Sequence, residues 1–257
     1  MCILFIAIEQ HRDYPLIIAA NRDEFFARPT LASDFWPEHP NLLAGKDEEA
    51  GGTWMGVTRE GKLASLTNIR DPKRQLDSAR SRGELVTHYL TEQQQDSAYL
   101  AFLKASANQY NGYNLLYGDW QKLAVYNNHL NTYEHLSKGV YGLSNANLNS
   151  PWPKINKGMQ ALDAYCYDGH PIEPEVLFAL LQDRHLAEDD MLPKTGVSIE
   201  WERKLSSIFI NTEGYGTRSS TVLLVDKNQH LHWYERTYNS QAECVGEKRF
   251  DFQITNH

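Results

Sequence analysis

Wholly apolar runs alternate with polar segments along this chain, and the apolar runs predict buried β-strands. The first two runs cover residues 2–8 and 16–20, and a short polar segment, residues 10–14, separates them. Strands that are apolar at every position are typical of sheets covered on both faces, as in a layered structure. The polar segment is short enough to connect the two strands as a hairpin.

The same reading predicts further elements. Strands are expected at residues 52–58, 62–68, 113–117, 123–126, 140–144, 207–210, 221–225 and 230–234. Helices are expected at residues 83–91, 96–107, 153–165, 174–182 and 199–205. Short turns between successive strands favour antiparallel sheets with segregated helices, which is an α+β class. Because no repeat or linker divides the chain, residues 1–257 are predicted to form one domain.

Composition narrows the functional classes. The 257 residues are 41 % hydrophobic and 23 % charged, as in ordinary globular proteins, and the net charge is −8. An acidic chain is a poor partner for nucleic acid or anionic membranes, which favour basic patches. The three cysteines are an odd number without a close pair, so neither a disulfide framework nor a zinc knuckle is expected. A reducing, cytoplasmic location is therefore expected.

The apolar start of the chain is predicted to be a strand rather than a targeting segment. No basic residue precedes the run at residues 2–8, and Glu9 follows it. A signal peptide needs a basic region and a spanning helix needs about 20 apolar residues. Neither a signal peptide nor a transmembrane segment is expected.

Hairpin geometry places a polar cluster beside the start of the chain. If residues 2–9 pair with residues 16–21 about a turn near Arg12, the numbers of cross-strand partners sum to about 24. The tetrad of residues 21–24, Asn-Arg-Asp-Glu, then lies next to Cys2. Hairpin geometry alone also allows a register that is slipped by one or two residues.

Cys2 has the chemistry of a nucleophile if the initiator methionine is removed. Its α-amine would then have a reference pKa near ~8 and its thiol near ~8.5, so that one group can deprotonate the other. A guanidinium favours the thiolate and a carboxylate can orient the ammonium, and Arg22 and Asp23 supply these charges. The alternative is that Cys2 is a small buried hydrophobe and the tetrad a solvated turn.

Several motifs together resemble the NRDE-motif family, also called the transport and Golgi organisation family. They occur in the family's order and span nearly the whole chain. They are Met1-Cys2, residues 20–25 (ANRDEF), 51–57 (GGTWMGV), 66–72 (LTNIRDP), 110–116 (YNGYNLL), 142–145 (GLSN), 151–154 (PWPK) and 215–219 (YGTRS).

The resemblance implies a fold and a chemistry. The family is similar to the N-terminal nucleophile (Ntn) hydrolases, which implies a four-layer αββα sandwich of two mainly antiparallel sheets flanked by helices. Its functional comparison is with choloylglycine hydrolases and penicillin V acylases, which cleave non-peptide amides with an N-terminal cysteine.

The resemblance also implies site residues. The catalytic set is Cys2 as nucleophile, Arg22, Asp23, Asn68, Asn145 and Arg218, and the substrate-binding set is Asn21, Glu24 and Trp54. One departure is that arginine and aspartate are adjacent here, whereas the related enzymes separate them by two residues. Adjacent strand residues point to opposite faces, so Arg22 and Asp23 can both reach Cys2 only if the strand has ended or bulged.

The single motifs admit plainer interpretations. Asn68 and Asn145 end predicted strands, where an amide N–H can stabilise an oxyanion by ~3 kcal/mol, but such asparagines also cap turns. Arg218 can hold a substrate carboxylate or an internal acid. His230 and His232 share one face of a strand without an evident third ligand, so no metal is expected. No cofactor is expected, and although the family is linked to haem handling, the sequence has no iron-ligating signature.

Two functions remain open. The first is an amidohydrolase that cleaves a non-peptide C–N amide, or a thioester, of a small acyl compound through an acyl-Cys2 intermediate. The second is a non-catalytic Ntn-fold protein that binds or carries a hydrophobic ligand such as haem or an acyl compound.

Overall fold

The computed structural model describes residues 2–255, which form fourteen strands and five α-helices. The strands are β1 Cys2–Ile8, β2 Leu16–Phe25, β3 Thr30–Trp36, β4 His39–Asp47, β5 Met55–Thr58, β6 Lys62–Asn68, β7 Tyr113–Asp119, β8 Lys122–Asn127, β9 Thr132–His135, β10 Gly139–Leu143, β11 Asn211–Thr212, β12 Tyr215–Val225, β13 His230–Tyr238 and β14 Cys244–Gln253. The helices are α1 Gly83–Thr91, α2 Asp96–Ser106, α3 Pro153–Tyr167, α4 Pro174–Leu181 and α5 Ile199–Lys204.

The described chain divides into two compact units, and the first contains residues 2–27 and 137–252. Its sheet has the order β10-β1-β2-β12-β13-β14, and β11 also pairs with β12. Helix α3 lies against β1 and β10, and α4 lies against β2 and β12. The core between these helices and the sheet includes Ile3, Phe5, Ile17 and Ala19. The odd-numbered residues of β1 and β2 therefore face the helices.

A glycine allows α3 to approach β1 closely. A Cβ atom on Gly158 would lie only 2.1 Å from the ring of Phe5, which is fully buried. The helix thus packs its backbone directly on the strand that begins at Cys2.

The second unit contains residues 28–136 and 253–255. Its sheet has the simple order β3-β4-β5-β6-β7-β8-β9, in which every strand pairs with its neighbour in the chain. Helix α1 lies against β4, β5 and β6. The core of this unit is rich in tyrosine, including Tyr89, Tyr99, Tyr113 and Tyr117.

The predicted N-terminal hairpin is confirmed with its predicted register. Cys2 pairs with Arg22, Ile3 with Asn21, and Ile8 with Leu16, so that partner numbers sum to 24. One detail of the prediction is wrong. The second strand does not end at Asn21 but continues through the polar tetrad to Phe25, because β12 pairs with it along its whole length.

Two further kinds of error occur among the strand predictions: one predicted strand does not form, and several observed strands were not predicted. Residues 207–210 are buried but form a bend rather than a strand, and Ser207 Oγ donates locally to the Phe209 carbonyl. The sequence pattern did not predict β3, β4, β9, β11 and β14. Most side chains of β9 and β14 are exposed or half-buried, so main-chain pairing rather than an apolar pattern makes these segments strands.

The organisation of residues 1–257 as one domain stays a prediction, as does the cytoplasmic location. Within residues 2–255, no helix is both long enough and apolar enough to cross a membrane.

Candidate functional site

Cys2 and Arg22 face each other across the first two strands. They are directly opposed in the antiparallel pair β1–β2, so their side chains lie on the same face of the sheet. This is the face away from α3 and α4, because the odd-numbered neighbours Ile3 and Asn21 point toward the helices. Cys2 is 8 % exposed and Arg22 is 5 % exposed. The hairpin thus positions a guanidinium beside the predicted nucleophile.

Asp23 lies on the opposite face of the same strand. Because β2 pairs with β1 without a register shift up to Arg22 and continues as a strand to Phe25, the residue after Arg22 points toward the helices. There Thr217 donates its hydroxyl to Asp23 Oδ1 over 2.8 Å. Burial raises the pKa of Asp23, while the positive charge of Lys154 and the Thr217 hydrogen bond lower it. Arg22 therefore lies on the Cys2 face of the sheet, and Asp23 lies on the face that packs against the helices.

Ser144 links Asn145 to Cys2 through hydrogen bonds of its hydroxyl group. Ser144 Oγ lies 3.3 Å from the carbonyl oxygen of Cys2, and it also lies 3.1 Å from Asn145 Oδ1. Both residues follow β10, which pairs with β1, and both are buried. The end of β10 thus brings the predicted oxyanion donor next to the start of β1.

Arg218 is placed by a β-bulge. Thr217 pairs with Asp23 and Ser219 pairs with Arg22, so Arg218 is the extra residue between them. Its Nη1 donates to the Phe25 carbonyl over 2.9 Å. Burial lowers the pKa of Arg218, the charge of Arg22 lowers it further, and Glu24 raises it. Arg218 is therefore in the electrostatic neighbourhood of both Arg22 and Glu24.

Asn21 is held by three hydrogen bonds. Its Nδ2 donates to the carbonyls of Leu181 and Ile208, over 2.8 and 3.0 Å, and its Oδ1 accepts from Ser220 Oγ over 2.6 Å. These bonds give it a structural role on the helix-facing side. Its predicted contact with substrate stays a prediction.

Asn68 and Trp54 belong to the second unit. Asn68 is the last residue of β6, is half-buried and pairs with Tyr113 of β7. Trp54 precedes β5, its carbonyl accepts from Leu66 N over 2.8 Å, and its ring occupies the space that a Cβ on Gly45 would need. Their predicted roles as oxyanion donor and substrate contact stay predictions.

The electrostatics of Cys2 oppose thiolate formation. Burial raises the pKa of its thiol, and the charges of Asp23 and Glu24 raise it further, whereas Arg22 lowers it. Met1, whose removal the predicted chemistry requires, lies outside the described residues. The carboxylates and the guanidinium of the tetrad thus act on the thiol in opposite directions.

The side chains that could ligate a metal include the histidine pair of β13. Among the described residues, no group of three or more His, Cys, Asp or Glu side chains is placed to hold a metal ion. His230 and His232 have ring centroids 5.2 Å apart, and His232 Nδ1 contacts Asp251 Oδ1 over 2.5 Å.

Sequence reasoning assigned no role to Ser144, Thr217 or Lys154. Lys154 is buried and donates to the Leu205 carbonyl over 2.9 Å. All three occur within the motifs that carry the resemblance, and membership of those motifs was the signal that the sequence offered.

The sequence matches a known family model. The model described as "Transport and Golgi organisation 2" matches residues 1–240. A human protein, "Transport and Golgi organization protein 2 homolog", is 36 % identical over 272 residues that cover 93 % of this chain and 98 % of that protein. The Drosophila melanogaster "Transport and Golgi organization protein 2" is 29 % identical and covers 92 % of each chain.

A solved structure shares the fold. A Caenorhabditis elegans "N-acylethanolamine-hydrolyzing acid amidase (NAAA) ortholog" superposes with a TM-score of 0.55 at 11 % identity, covering 87 % of this chain and 92 % of that chain. The likeness concerns the fold alone. It confirms the predicted α+β class with two antiparallel sheets of the Ntn-hydrolase type.

Proposed function

The chain belongs to the Transport and Golgi organisation 2 family, and we propose that it is an N-terminal-cysteine amidohydrolase. Its substrate would be a non-peptide amide, or a thioester, of a small acyl compound. The observation that carries this proposal is the register of the first hairpin, in which Cys2 is directly opposite Arg22. The fold shared with an amidase supports it.

The proposed reaction begins after Met1 is removed. The free α-amine of Cys2 accepts the thiol proton, and Sγ attacks the carbonyl carbon of the substrate. The negative charge moves to the carbonyl oxygen, where the Asn145 side chain donates a hydrogen bond. The ammonium returns its proton to the leaving amine, the C–N bond breaks, and the acyl group remains on Sγ.

Hydrolysis completes the cycle. Water loses a proton to the α-amine and attacks the acyl carbon, the C–S bond breaks, and the sulfur recovers a proton as the acid leaves. Arg22 favours the thiolate in each half of the cycle, because its charge lowers the thiol pKa against the stronger effect of burial. Asn68 as a second oxyanion donor stays a prediction.

A second candidate is a non-catalytic protein that carries a hydrophobic ligand such as haem or an acyl compound. The observation that favours it is the burial of Cys2, which raises the thiol pKa and keeps the sulfur protonated near neutral pH. A carrier needs no thiolate, whereas an amidase does.

Intact-mass measurements separate the two. Protein from its native host should lack Met1, and incubation with a panel of acyl amides and thioesters should add one acyl mass to Cys2. The matched control is Cys244→Ser, which removes the exposed thiol and should leave the adduct unchanged. Cys2→Ser should abolish the thioester adduct.

The opposite outcome is equally concrete. A retained Met1 in the native host removes the proposed base, and no adduct with any of the panel would overturn the amidase proposal. A saturable shift of the Soret band on titration with haem would then support the carrier, and a linear response would count against haem as its ligand.

A further inference from the structure

A row of four side chains crosses the sheet on the face that carries Cys2. The register pairs Cys2 with Arg22, Arg22 with Ser219, and Ser219 with Thr237. Directly opposed residues of antiparallel strands project from the same face. Ser219 is therefore beside Arg22, on the side of Arg22 away from Cys2.

The hydroxyl of Ser219 is buried and unsatisfied. The residue is 4 % exposed, and its Oγ finds no hydrogen-bond partner among residues 2–255. The next residue, Ser220, faces the helices and donates to Asn21 over 2.6 Å. A buried hydroxyl without a partner is unfavourable by about 1–3 kcal/mol, so native structures keep few of them and a functional reason is expected.

The bulge places a second cation, Arg218, immediately before Ser219 in β12. Arg218 is the extra residue between Thr217 and Ser219, and bulges next to active sites commonly redirect a side chain. Arg218 Nη1 donates to the Phe25 carbonyl over 2.9 Å. The charge of Arg22 lowers the pKa of Arg218, after the larger effect of burial, so Arg22 lies within electrostatic range of Arg218. Two guanidinium groups and a hydroxyl donor are the groups that proteins use to bind carboxylate or phosphate oxygens.

We propose that Arg22, Arg218 and Ser219 form a subsite for an anionic oxygen group of the ligand. The ligand class is then an acyl compound that also carries a carboxylate or a phosphate, with its acyl carbon at Cys2. The placement of that acyl carbon rests on the proposed function. The anion subsite rests on the row, the bulge and the buried hydroxyl.

Charge selectivity at the Cys2 thiol tests the subsite without any substrate. Iodoacetate is anionic and iodoacetamide is its neutral counterpart, and peptide mass spectrometry reports each cysteine separately. The exposed Cys244 provides an internal reference. The iodoacetate-to-iodoacetamide rate ratio at Cys2 should exceed that at Cys244 by about ten-fold, as expected for one charge-assisted hydrogen-bonded contact.

Three variants test whether Arg218 and Ser219 cause the preference of Cys2 for iodoacetate. Arg218→Gln and Ser219→Ala should each bring the ratio at Cys2 toward that at Cys244. Arg203→Gln is the matched control, because Arg203 is partly exposed and pairs with Asp189. It should leave the ratio unchanged. Equal ratios at the two cysteines in the wild type, or a ratio that both site variants retain, would overturn the subsite.

If Cys2 reacts with neither reagent, a binding measurement tests the subsite instead. N-decanoyl-β-alanine carries a carboxylate, N-decanoylethanolamine phosphate carries a phosphate, and N-decanoyl-β-alaninamide is neutral. A ligand that binds only the folded protein raises its Tm. Either or both anionic ligands should raise Tm more than the neutral one, and Ser219→Ala should reduce the difference. The larger rise identifies carboxylate or phosphate, and equal rises for all three ligands would refute the proposal.

The two proposals fail in different ways. An anion preference without an acyl-Cys2 adduct would leave the subsite and remove the amidase. Adducts that form without a charge preference would leave the amidase and remove the subsite.

Discussion

Thr217 donates its hydroxyl to Oδ1 of Asp23 over 2.8 Å, on the face of the sheet opposite to the Cys2 side chain. The same threonine Oγ1 accepts from the Ile210 backbone N–H over 2.9 Å. One hydroxyl therefore satisfies a buried carboxylate and a buried N–H. The side chains of the polar tetrad thus lie on both faces of β2: Arg22 is on the face that carries the Cys2 thiol, and Asp23 is on the face that packs against the helices.

Replacement of Thr217 by valine removes both bonds without changing the shape of the side chain. Thr217→Val should lower the free energy of unfolding by about 2–4 kcal/mol, because a buried carboxylate and a buried N–H lose their partner. Urea denaturation at pH 7 measures the change. Thr217→Ser keeps the hydroxyl and should retain most of the stability, so equal losses in the two variants would contradict this account.

Two adjacent serines of β12 should respond oppositely to removal of their hydroxyls. Ser220 donates to Asn21, so Ser220→Ala should destabilise the fold by about 1–3 kcal/mol. Ser219 has no partner among the described residues, so Ser219→Ala should leave the stability unchanged or raise it. Urea denaturation of both variants decides the point. A loss at Ser219 as large as that at Ser220 would show that its hydroxyl is structural.

The apolar strands and the first hairpin could be predicted from sequence because burial on both faces leaves a continuous apolar run. The register followed from the short connection, because a turn near Arg12 makes the numbers of cross-strand partners sum to 24. Strands such as β14 could not be predicted, because their side chains are mostly exposed and only main-chain pairing defines them. The buried segment at residues 207–210 shows the reverse error, in which β-forming residues are buried without pairing.

The candidate site was predictable where one hairpin builds it. Cys2 and Arg22 are neighbours by local register alone. Thr217 and Ser144 come from strands far away in the chain, and a single sequence does not specify which distant strands will pair. The placement of Asp23 depended on whether β2 continued past Asn21, and the pairing with β12 decides that it does.

The close packing of α3 on β1 predicts a cost for any side chain at Gly158. A Cβ there would lie 2.1 Å from the ring of Phe5, which is fully buried and enclosed by the core. Gly158→Ala should therefore destabilise the protein by about 1–3 kcal/mol despite the better helix propensity of alanine. Gln160→Ala, at an exposed position of the same helix, is the matched control and should be close to neutral. A stabilised Gly158→Ala variant in urea denaturation would contradict the observed packing.

Asp23 should make the fold less stable as the pH rises. Burial raises its pKa above the ordinary value, and Thr217 and Lys154 only partly oppose this. Between the unfolded pKa near ~3.9 and the raised folded value, the native state therefore binds more protons than the unfolded state. Stability from this group is present below that window and is lost as the pH rises through it.

Asp23→Asn removes the charge, and Asn Oδ1 can still accept from Thr217. The variant should be more stable than the wild type at pH 7, and the advantage should shrink toward pH 4 in urea denaturation. Asp13→Asn is the control of opposite sign. The pKa of Asp13 is lowered, and the hydrogen bond from Lys227 is the largest cause. Loss of the Asp13 charge should therefore reduce the free energy of unfolding at pH 7, and the reduction should become smaller as the pH falls.

The same variant separates the two ways in which Asp23 can influence Cys2. Its charge raises the thiol pKa, in addition to the larger effect of burial, so Asp23→Asn should speed alkylation of Cys2 by iodoacetamide at pH 7. If Asp23 also orients the α-ammonium, acyl transfer to Cys2 should fall by at least about ten-fold, since a misplaced base loses much of its catalytic effect. Faster alkylation with slower acylation supports the amidase mechanism. A parallel rise in both rates would reduce Asp23 to a source of negative charge and leave the base without its orienting partner.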